Sequence, residues 1–185
     1  MKIRPLKAFL PLGISRLFGG GLLGVCALAA AVGGVRAEPS GGTLANNSAL
    51  VRGVTGADIA SVANGPGFNV TVTQNAERIV IDWTDFNIDA ADAVHFDQLT
   101  SDWIAVNRVT GGLATPTAIN GMLSAAGHVW VLDPAGVAFG AGAIVDVGGL
   151  LATTSALDGA AFVATDPTTG TFTFTQDGAG SVTNA

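Results

Sequence analysis

Acidic residues crowd one stretch of the chain, and they are the side chains best placed to do acid–base chemistry. The stretch holds Asp82, Asp85, Asp89, Asp92, Asp97 and Asp102. Two neighbouring carboxylates could act as acid and base in glycoside hydrolysis, and a group of them could bind calcium. The stretch contains no lysine or arginine that could hold an acidic sugar. The simpler interpretation is therefore that these aspartates are solvated residues on an acidic surface.

The remaining reactive side chains are isolated. His95 and His128 are the only histidines, and neither has a cysteine, a second histidine or a glutamate at metal-ligand spacing. No serine lies in a nucleophile-elbow pattern, and no phosphate-binding or dinucleotide-binding glycine motif occurs. Trp83, Trp103 and Trp130 could stack on a sugar, but each lies in an apolar-rich run, which favours packing in the core. The sequence thus predicts no metal, no cofactor and no enzymatic activity.

Composition narrows the class of protein further. The 185 residues include 8 Lys and Arg against 14 Asp and Glu, too few cations to neutralise a nucleic-acid backbone. The single cysteine, Cys26, excludes a disulfide scaffold and a cysteine-based zinc site. All 14 acidic residues but only three arginines follow residue 37, so the body of the chain carries a net charge of −11.

The first 37 residues have the organisation of a secretory signal peptide. Residues 2–16 are positively charged, residues 17–35 are uncharged and apolar, and Val35-Arg36-Ala37 offers a cleavage site. We expect signal peptidase to cut after Ala37, leaving residues 38–185 as one exported domain. An uncleaved membrane anchor and a lipoprotein signal ending at Cys26 are the alternatives.

The elements that would position these residues are short strands. Apolar and polar residues alternate with period two over 68–73, 78–83, 94–96, 103–109 and 129–132. Only residues 57–63 could form one or two helical turns. From residue 129 onward, strands of three to five residues alternate with corners of two to four, too short for a sandwich built of hairpins. This rhythm predicts an all-β, right-handed parallel β-helix, with a compact β-sandwich as the alternative fold.

Several ordered blocks of this body resemble one known family. They are residues 81–88 (IDWTDFNI), 94–98 (VHFDQ), 103–112 (WIAVNRVTGG), 119–123 (INGML), 127–140 (GHVWVLDPAGVAFG) and 141–150 (AGAIVDVGGL). Their order and spacing are similar to those of the N-terminal secretion domain of filamentous-haemagglutinin-like exoproteins, the passengers of two-partner secretion. The resemblance extends over about residues 43–185.

The resemblance implies an exported, non-enzymatic domain of an adhesin-type protein. The general secretion machinery would carry it to the periplasm, and the periplasmic domains of an outer-membrane β-barrel transporter would bind it while it is extended. It would then fold outside the cell or on its surface, and its first coils would nucleate the folding of the rest. The residues that we expect to carry recognition or nucleation are Asn107, Arg108, Gly111, Gly112, Asp133, Pro134, Ala135 and Gly136. Both segments could equally be β-helix corners that the transporter never touches.

The corner at residues 133–136 departs from the family pattern. Asp133 and Ala135 stand where the family has the two asparagines of Asn-Pro-Asn-Gly. Asp133 can still accept backbone N–H groups in a turn, whereas Ala135 lacks a capping side chain. The runs after residue 170 resemble the beginning of another coil, so we expect the domain to be truncated at its C-terminus. Any host-receptor site would then lie downstream of it.

Two other classes of function stay open from the residues alone. A β-helix enzyme acting on carbohydrates would need a pair of carboxylates in a groove. A small secreted structural protein would be complete at residue 185.

Overall fold

The structure, a computed structural model, describes residue 39 and residues 43–44, 57–111, 114–165, 170–175 and 178–185. The predicted signal peptide, its cleavage site at Ala37 and Gly112 lie outside these residues. The elements in chain order are β1 (Thr43–Leu44), β2 (Ala57–Asn64), β3 (Gly67–Gln74), β4 (Arg78–Trp83), β5 (Ala93–Asp97), β6 (Ile104–Val109), β7 (Thr117–Ile119), β8 (Met122–Leu132), β9 (Gly136–Phe139), β10 (Ile144–Thr153), β11 (Ala156–Leu157), α1 (Gly159–Ala164), β12 (Phe174–Thr175) and β13 (Ser181–Asn184).

The strands wind into stacked coils with three faces. Strands β3, β5 and the first parts of β8 and β10 pair in parallel on the first face. Strands β4, β6 and the later parts of β8 and β10 pair in parallel on the second face. The third face stacks β7, β9 and β13, and Ile88 forms a parallel bridge to Ile119 there. This arrangement is a parallel β-helix, as predicted, and it excludes the sandwich.

One row of side chains from each strand of the three faces fills the interior. Because residues paired across parallel strands point to the same side of the sheet, the inward residues of successive coils stack on one another. Residues with no exposed surface in this stack are Val72, Ile79, Ile81, Phe86, Ile88, Val94, Phe96, Ile119, Leu123, Val129, Val131 and Val137. The period-two pattern in the sequence is therefore the inward and outward alternation of this core.

The first coil contains β3 and β4, the second β5 to β7, the third β8 and β9, and the fourth β10 and β13. Strands that run in the opposite direction cover the first coil. Strand β1 pairs antiparallel with β4, and β2 pairs antiparallel with β3 along its whole length. The prediction of helical turns over residues 57–63 was wrong, because this segment is the strand β2. Backbone pairing with the neighbouring strand outweighs the weak helical preference of its alanines.

The fourth coil presents part of its inner row at the surface. Leu150 pairs with the fully buried Val129, and Val182 pairs with the fully buried Val137, so both side chains point inward. Leu150 is nevertheless 44% exposed and Val182 46% exposed. The apolar core therefore reaches the surface at this edge.

One excursion leaves the coil between β10 and β13. It contains the two-stranded antiparallel pair β11 and β12 and the helix α1. Asp158 caps the helix, since its Oδ1 accepts the N–H groups of Ala160 at 2.9 Å and Ala161 at 3.2 Å. None of the helices in the described ranges has the length and apolar character needed to cross a membrane.

Candidate functional site

Asn107 lies inside the β-helix, on the inward face of β6. Its side chain has no exposed surface. Its Oδ1 accepts the indole N–H of Trp83 at 2.9 Å, and its Nδ2 donates to the carbonyls of Ala105 at 3.3 Å and Trp130 at 3.2 Å. Trp83 belongs to the coil before and Trp130 to the coil after. Asn107 thus ties three successive coils together through a fully satisfied buried amide.

Arg108 points to the opposite side of the same strand. Its Nε and Nη2 donate to the two carboxylate oxygens of Asp82 at 2.7 and 2.9 Å, a two-pronged ion pair between neighbouring coils. The side chains are 25% and 26% exposed. Arg108 also donates to the carbonyl of Leu157 at 3.4 Å. Of the two strand residues predicted for recognition, Arg108 is therefore the one that solvent reaches.

Gly111 lies where the chain passes directly over the preceding coil. A Cβ atom built on this residue would come within 1.9 Å of the Thr84 carbonyl oxygen. The neighbouring residue, Thr110, holds the two backbones close together, because its N–H donates to the Trp83 carbonyl at 2.8 Å. Gly111 is required by this backbone contact.

Asp133 holds the corner between β8 and β9, and its carboxylate is buried. Oδ2 accepts the backbone N–H of Thr117 at 2.9 Å and its hydroxyl at 2.7 Å, which joins this corner to the preceding coil. Oδ1 accepts the Ala135 N–H at 2.9 Å, and the Asp133 carbonyl accepts the Gly136 N–H at 2.9 Å. The expectation that aspartate would accept backbone N–H groups in this turn is confirmed.

The rest of the corner follows from the chemistry of its residues. Pro134 stands at the second position of the turn, where its fixed φ is favoured, and it is exposed. Gly136 has φ +117°, a conformation that other residues rarely adopt. The Pro134 carbonyl accepts the Gly180 N–H at 3.2 Å, so the next coil covers this corner.

The two predicted segments are neighbours in space. Arg108 pairs with Leu132, the residue just before Asp133, on adjacent strands of the second face. The structure therefore brings both segments together on consecutive coils. It buries Asn107, which is 0% exposed, and Asp133, which is only 3% exposed, whereas Arg108 remains partly exposed.

Further polar bridges between coils were missed at the sequence level. Gln98 Nε2 donates to Gln74 Oε1 at 2.9 Å, and Gln98 Oε1 accepts the Gly127 N–H at 2.7 Å. Asn87 Oδ1 accepts the N–H of Ala118 at 2.8 Å. Gln74 ends β3 and Gln98 directly follows β5, whereas Asn87 lies in the loop between β4 and β5. A polar residue that repeats at the end of a strand in successive coils is the signal that could have revealed the two glutamines.

The six aspartates of the acidic stretch lie in different environments, and two of them, Asp89 and Asp92, line one cavity together with Asn120. Asp82 is paired with Arg108, and Asp92 is buried, where its Oδ1 accepts the Phe68 N–H at 2.8 Å. The interpretation of these aspartates as solvated was therefore wrong for Asp92, whereas Asp97 and Asp102 are exposed. Within the described ranges, no three histidine, cysteine or acidic residues are close enough together to hold a metal ion.

The histidines and tryptophans occupy different environments. His95 is exposed on the first face, where its Nδ1 lies 2.9 Å from the Ser124 hydroxyl oxygen. Trp83 packs in the core, as predicted. Trp103 and Trp130 are half-buried, and the ring of Trp130 lies on the outside of the coil against Phe162 and other aromatic rings. The prediction of core packing for all three tryptophans therefore holds fully only for Trp83.

Comparison with known proteins adds three findings. Residues 44–185 match the family described as the TPS secretion domain. Two heme/hemopexin-binding proteins of Haemophilus influenzae are each 40% identical to the chain, over 89 and 92 residues. These alignments cover 48% and 50% of this chain but only 9% and 10% of the relatives, so the chain spans a small part of their length. The crystal structure of the HMW1 secretion domain from Haemophilus influenzae superposes with a TM-score of 0.59 at 23% identity, covering 79% of this chain and 35% of that one.

Proposed function

Because the chain belongs to the family of TPS secretion domains, we propose that it directs its own passage through a dedicated outer-membrane transporter. Proteins with this domain are exported to the cell surface or the medium by two-partner secretion, and the family is one of export and not of enzymes. The partner of such a domain is an outer-membrane transporter.

The observation that carries the mechanism is the burial of Asn107 and Asp133, one in each of the two segments proposed for recognition. The polar atoms of Asn107 and Asp133 form hydrogen bonds between coils. Gly111 lies against the backbone of Thr84. In the folded coils a partner cannot reach the polar atoms of Asn107 and Asp133, whereas Arg108 is partly exposed and Gly111 is exposed. Recognition therefore takes place on the extended chain, and folding then withdraws the recognised groups from the transporter.

The route begins with the signal peptide at residues 1–37. Signal peptidase cuts after Ala37, and the general secretion machinery delivers residues 38–185 to the periplasm. Residues beyond Cys26 include no cysteine. No disulfide can therefore lock the body of the chain before it reaches the transporter.

The likeness to heme/hemopexin-binding proteins fits this role. The shared region is about a tenth of those relatives. We infer that export is the property the aligned regions have in common. Binding of a ligand or a host receptor would belong to sequence outside this domain.

Strand addition is the recognition mode that an extended chain favours. Main-chain N–H and C=O groups pair with the exposed edge of a partner sheet, and pockets for alternate side chains add specificity. Residues 104–109 already have the alternating pattern of a strand. In the extended chain, Arg108 would be free of Asp82 and could bind an acidic group of the transporter.

Arg108→Ala tests recognition of this side chain, although it also removes the hydrogen bond to the Leu157 carbonyl, at 3.4 Å. Its ion pair with Asp82 is partly exposed, so breaking it costs only about 0–1 kcal/mol of stability. If the transporter binds the Arg108 side chain, secretion into the medium should fall steeply, with the chain accumulating in the periplasm. The measurement is the secreted fraction in cells that carry or lack the transporter.

Asp82→Ala is the matched control, because it breaks the same ion pair outside residues 107–112. It should leave secretion close to that of the unmodified chain. Equal secretion of both variants would remove Arg108 from the recognition surface and leave this segment a role in folding alone.

The open edge of the fourth coil supports a role in nucleating further folding. Leu150 and Val182 point inward yet are nearly half exposed. A further coil stacked on this edge would bury them, and burial of apolar surface is worth about 25 cal/mol per Å². The folded coils thereby offer an edge on which further coils can stack.

Leu150→Asp tests stacking at this edge. In a chain extended by further β-helix coils, a buried carboxylate at this position should prevent the added coils from stacking, so that a protease digests them while coils one to three survive. Ile144→Asp is the control, since Ile144 is 58% exposed on the outward side of the same strand. Equal protease resistance of the added coils in both variants would contradict stacking at this edge.

A further inference from the structure

The outer side of the second face carries a second apolar layer. Val80, Val106 and Trp130 are paired across β4, β6 and β8 and point away from the interior. Val80 is nevertheless only 2% exposed and Val106 fully buried. They are covered by residues 156–165 and 170–175, which we call the strap.

Aromatic rings join the strap to the third coil. The ring of Trp130 lies 5.5 Å from that of Phe162, 5.4 Å from that of Phe172 and 5.9 Å from that of Phe174, measured between centroids. The rings of Phe162 and Phe172 lie 5.2 Å apart. Aromatic pairs of this kind stabilise a fold beyond the effect of the apolar area that they bury.

Arg78 joins the strap to the first coil. Its Nη1 donates to the carbonyl of Phe162 at 3.0 Å and to that of Thr165 at 2.7 Å, in the last turn of α1 and just beyond it. Its guanidinium also lies 5.3 Å from the ring centre of Phe162 and 4.8 Å from that of Phe172. A cation that binds carbonyls at a helix C-terminus and also aromatic faces is held strongly, and Arg78 is only 6% exposed.

The second coil is bound as well, through the hydrogen bond from Arg108 to the Leu157 carbonyl. The strap thus contacts coils one, two and three, although in the sequence it lies within the fourth coil, between β10 and β13. It can close only when all of these coils are present, because its partners on them are separated by up to 87 residues from the strap.

We propose that the strap is a late-closing lock, which forms after the coils have stacked and then holds the first three of them against unfolding. Its consequence for export rests on the proposed function. A domain that folds beyond the pore and then closes its strap unfolds too slowly to slip back through the transporter.

Folding kinetics of the purified protein test the lock without any transporter. A contact that forms after the folding transition state changes the unfolding rate and leaves the refolding rate alone. Arg78→Lys keeps the charge but loses the planar guanidinium. We expect it to raise the unfolding rate in urea roughly tenfold, with refolding unchanged.

Phe172→Ala should act in the same way through the aromatic cluster. Phe174→Ala, at the more exposed rim, is the milder variant should Phe172→Ala fail to fold. Leu99→Ala is the control, because the Leu99 side chain is 81% exposed. Its rates should match those of the unmodified protein.

Two results would overturn the proposal. Slower refolding at an unchanged unfolding rate would show that the strap closes early, and unchanged rates in both directions would show that it locks nothing. These rates are measured without export, so the test of the lock does not depend on recognition by a transporter. A secretion assay of the same variants then tests backward slipping separately.

Discussion

Replacing Asn107 with alanine should lower the free energy of unfolding by about 3 kcal/mol, a large part of the stability of a single domain. The change removes one buried acceptor and one buried donor together. The indole N–H of Trp83 and the carbonyl of Trp130 would then be left in an apolar interior without their partner. Each unsatisfied group costs about 1–3 kcal/mol. Urea unfolding followed by tryptophan fluorescence measures the loss.

Asn69→Ala provides the control for Asn107→Ala. Asn69 also lies on a strand of the first coils, but its side chain is exposed and bonds only to that of Asn64, at 3.3 Å. Its replacement should change stability by no more than about 0.5 kcal/mol. Equal midpoints for the two alanine variants would refute the structural role assigned to the buried amide.

Asp133→Ala should be the second severe change, with a loss of about 4 kcal/mol or failure to fold. The carboxylate accepts three hydrogen bonds in a site where it is only 3% exposed. Removing it leaves the N–H groups of Thr117 and Ala135 buried without an acceptor. Calorimetric unfolding, or loss of the folded signal in circular dichroism, would report this effect.

Asp133→Asn should cost less, because the amide oxygen can take the place of Oδ2 and keep both hydrogen bonds from Thr117, so that only the Ala135 N–H loses its acceptor. Asp146→Ala, on the outward side of β10, removes a carboxylate that is exposed and should leave stability nearly unchanged. A loss in Asp146→Ala as large as in Asp133→Ala would point to net charge and not to the corner contacts.

The sequence predicted the coiled architecture because its signal is local. Alternation over residues 78–83 places Ile79, Ile81 and Trp83 in the core, and the short corners after residue 132 permit no hairpin. The corner role of Asp133 was also predictable, since aspartate before proline favours a turn that accepts backbone N–H groups.

Contacts between coils could not be predicted from local patterns, because they join residues that are far apart in the sequence. Gln74 and Asn87 look like ordinary polar turn residues in one coil, and only the stacking of the next coil turns them into bridges. The strap was missed for a related reason. Val80 interrupts the polar outer row of β4, but nothing nearby in the sequence indicates that Phe162 will cover it.

The buried polar bridges also fix the register of each strand against its neighbour. Apolar alternation alone permits a strand to slide by two residues over its neighbour, because the same side chains would still point inward. Such a slip would carry Asn107 away from the indole of Trp83 and Asp133 away from Thr117. Each misplaced coil would then bury unpaired polar groups and be less stable than the correct one. A chain that folds one coil at a time can therefore reject a misaligned coil before the next one is added.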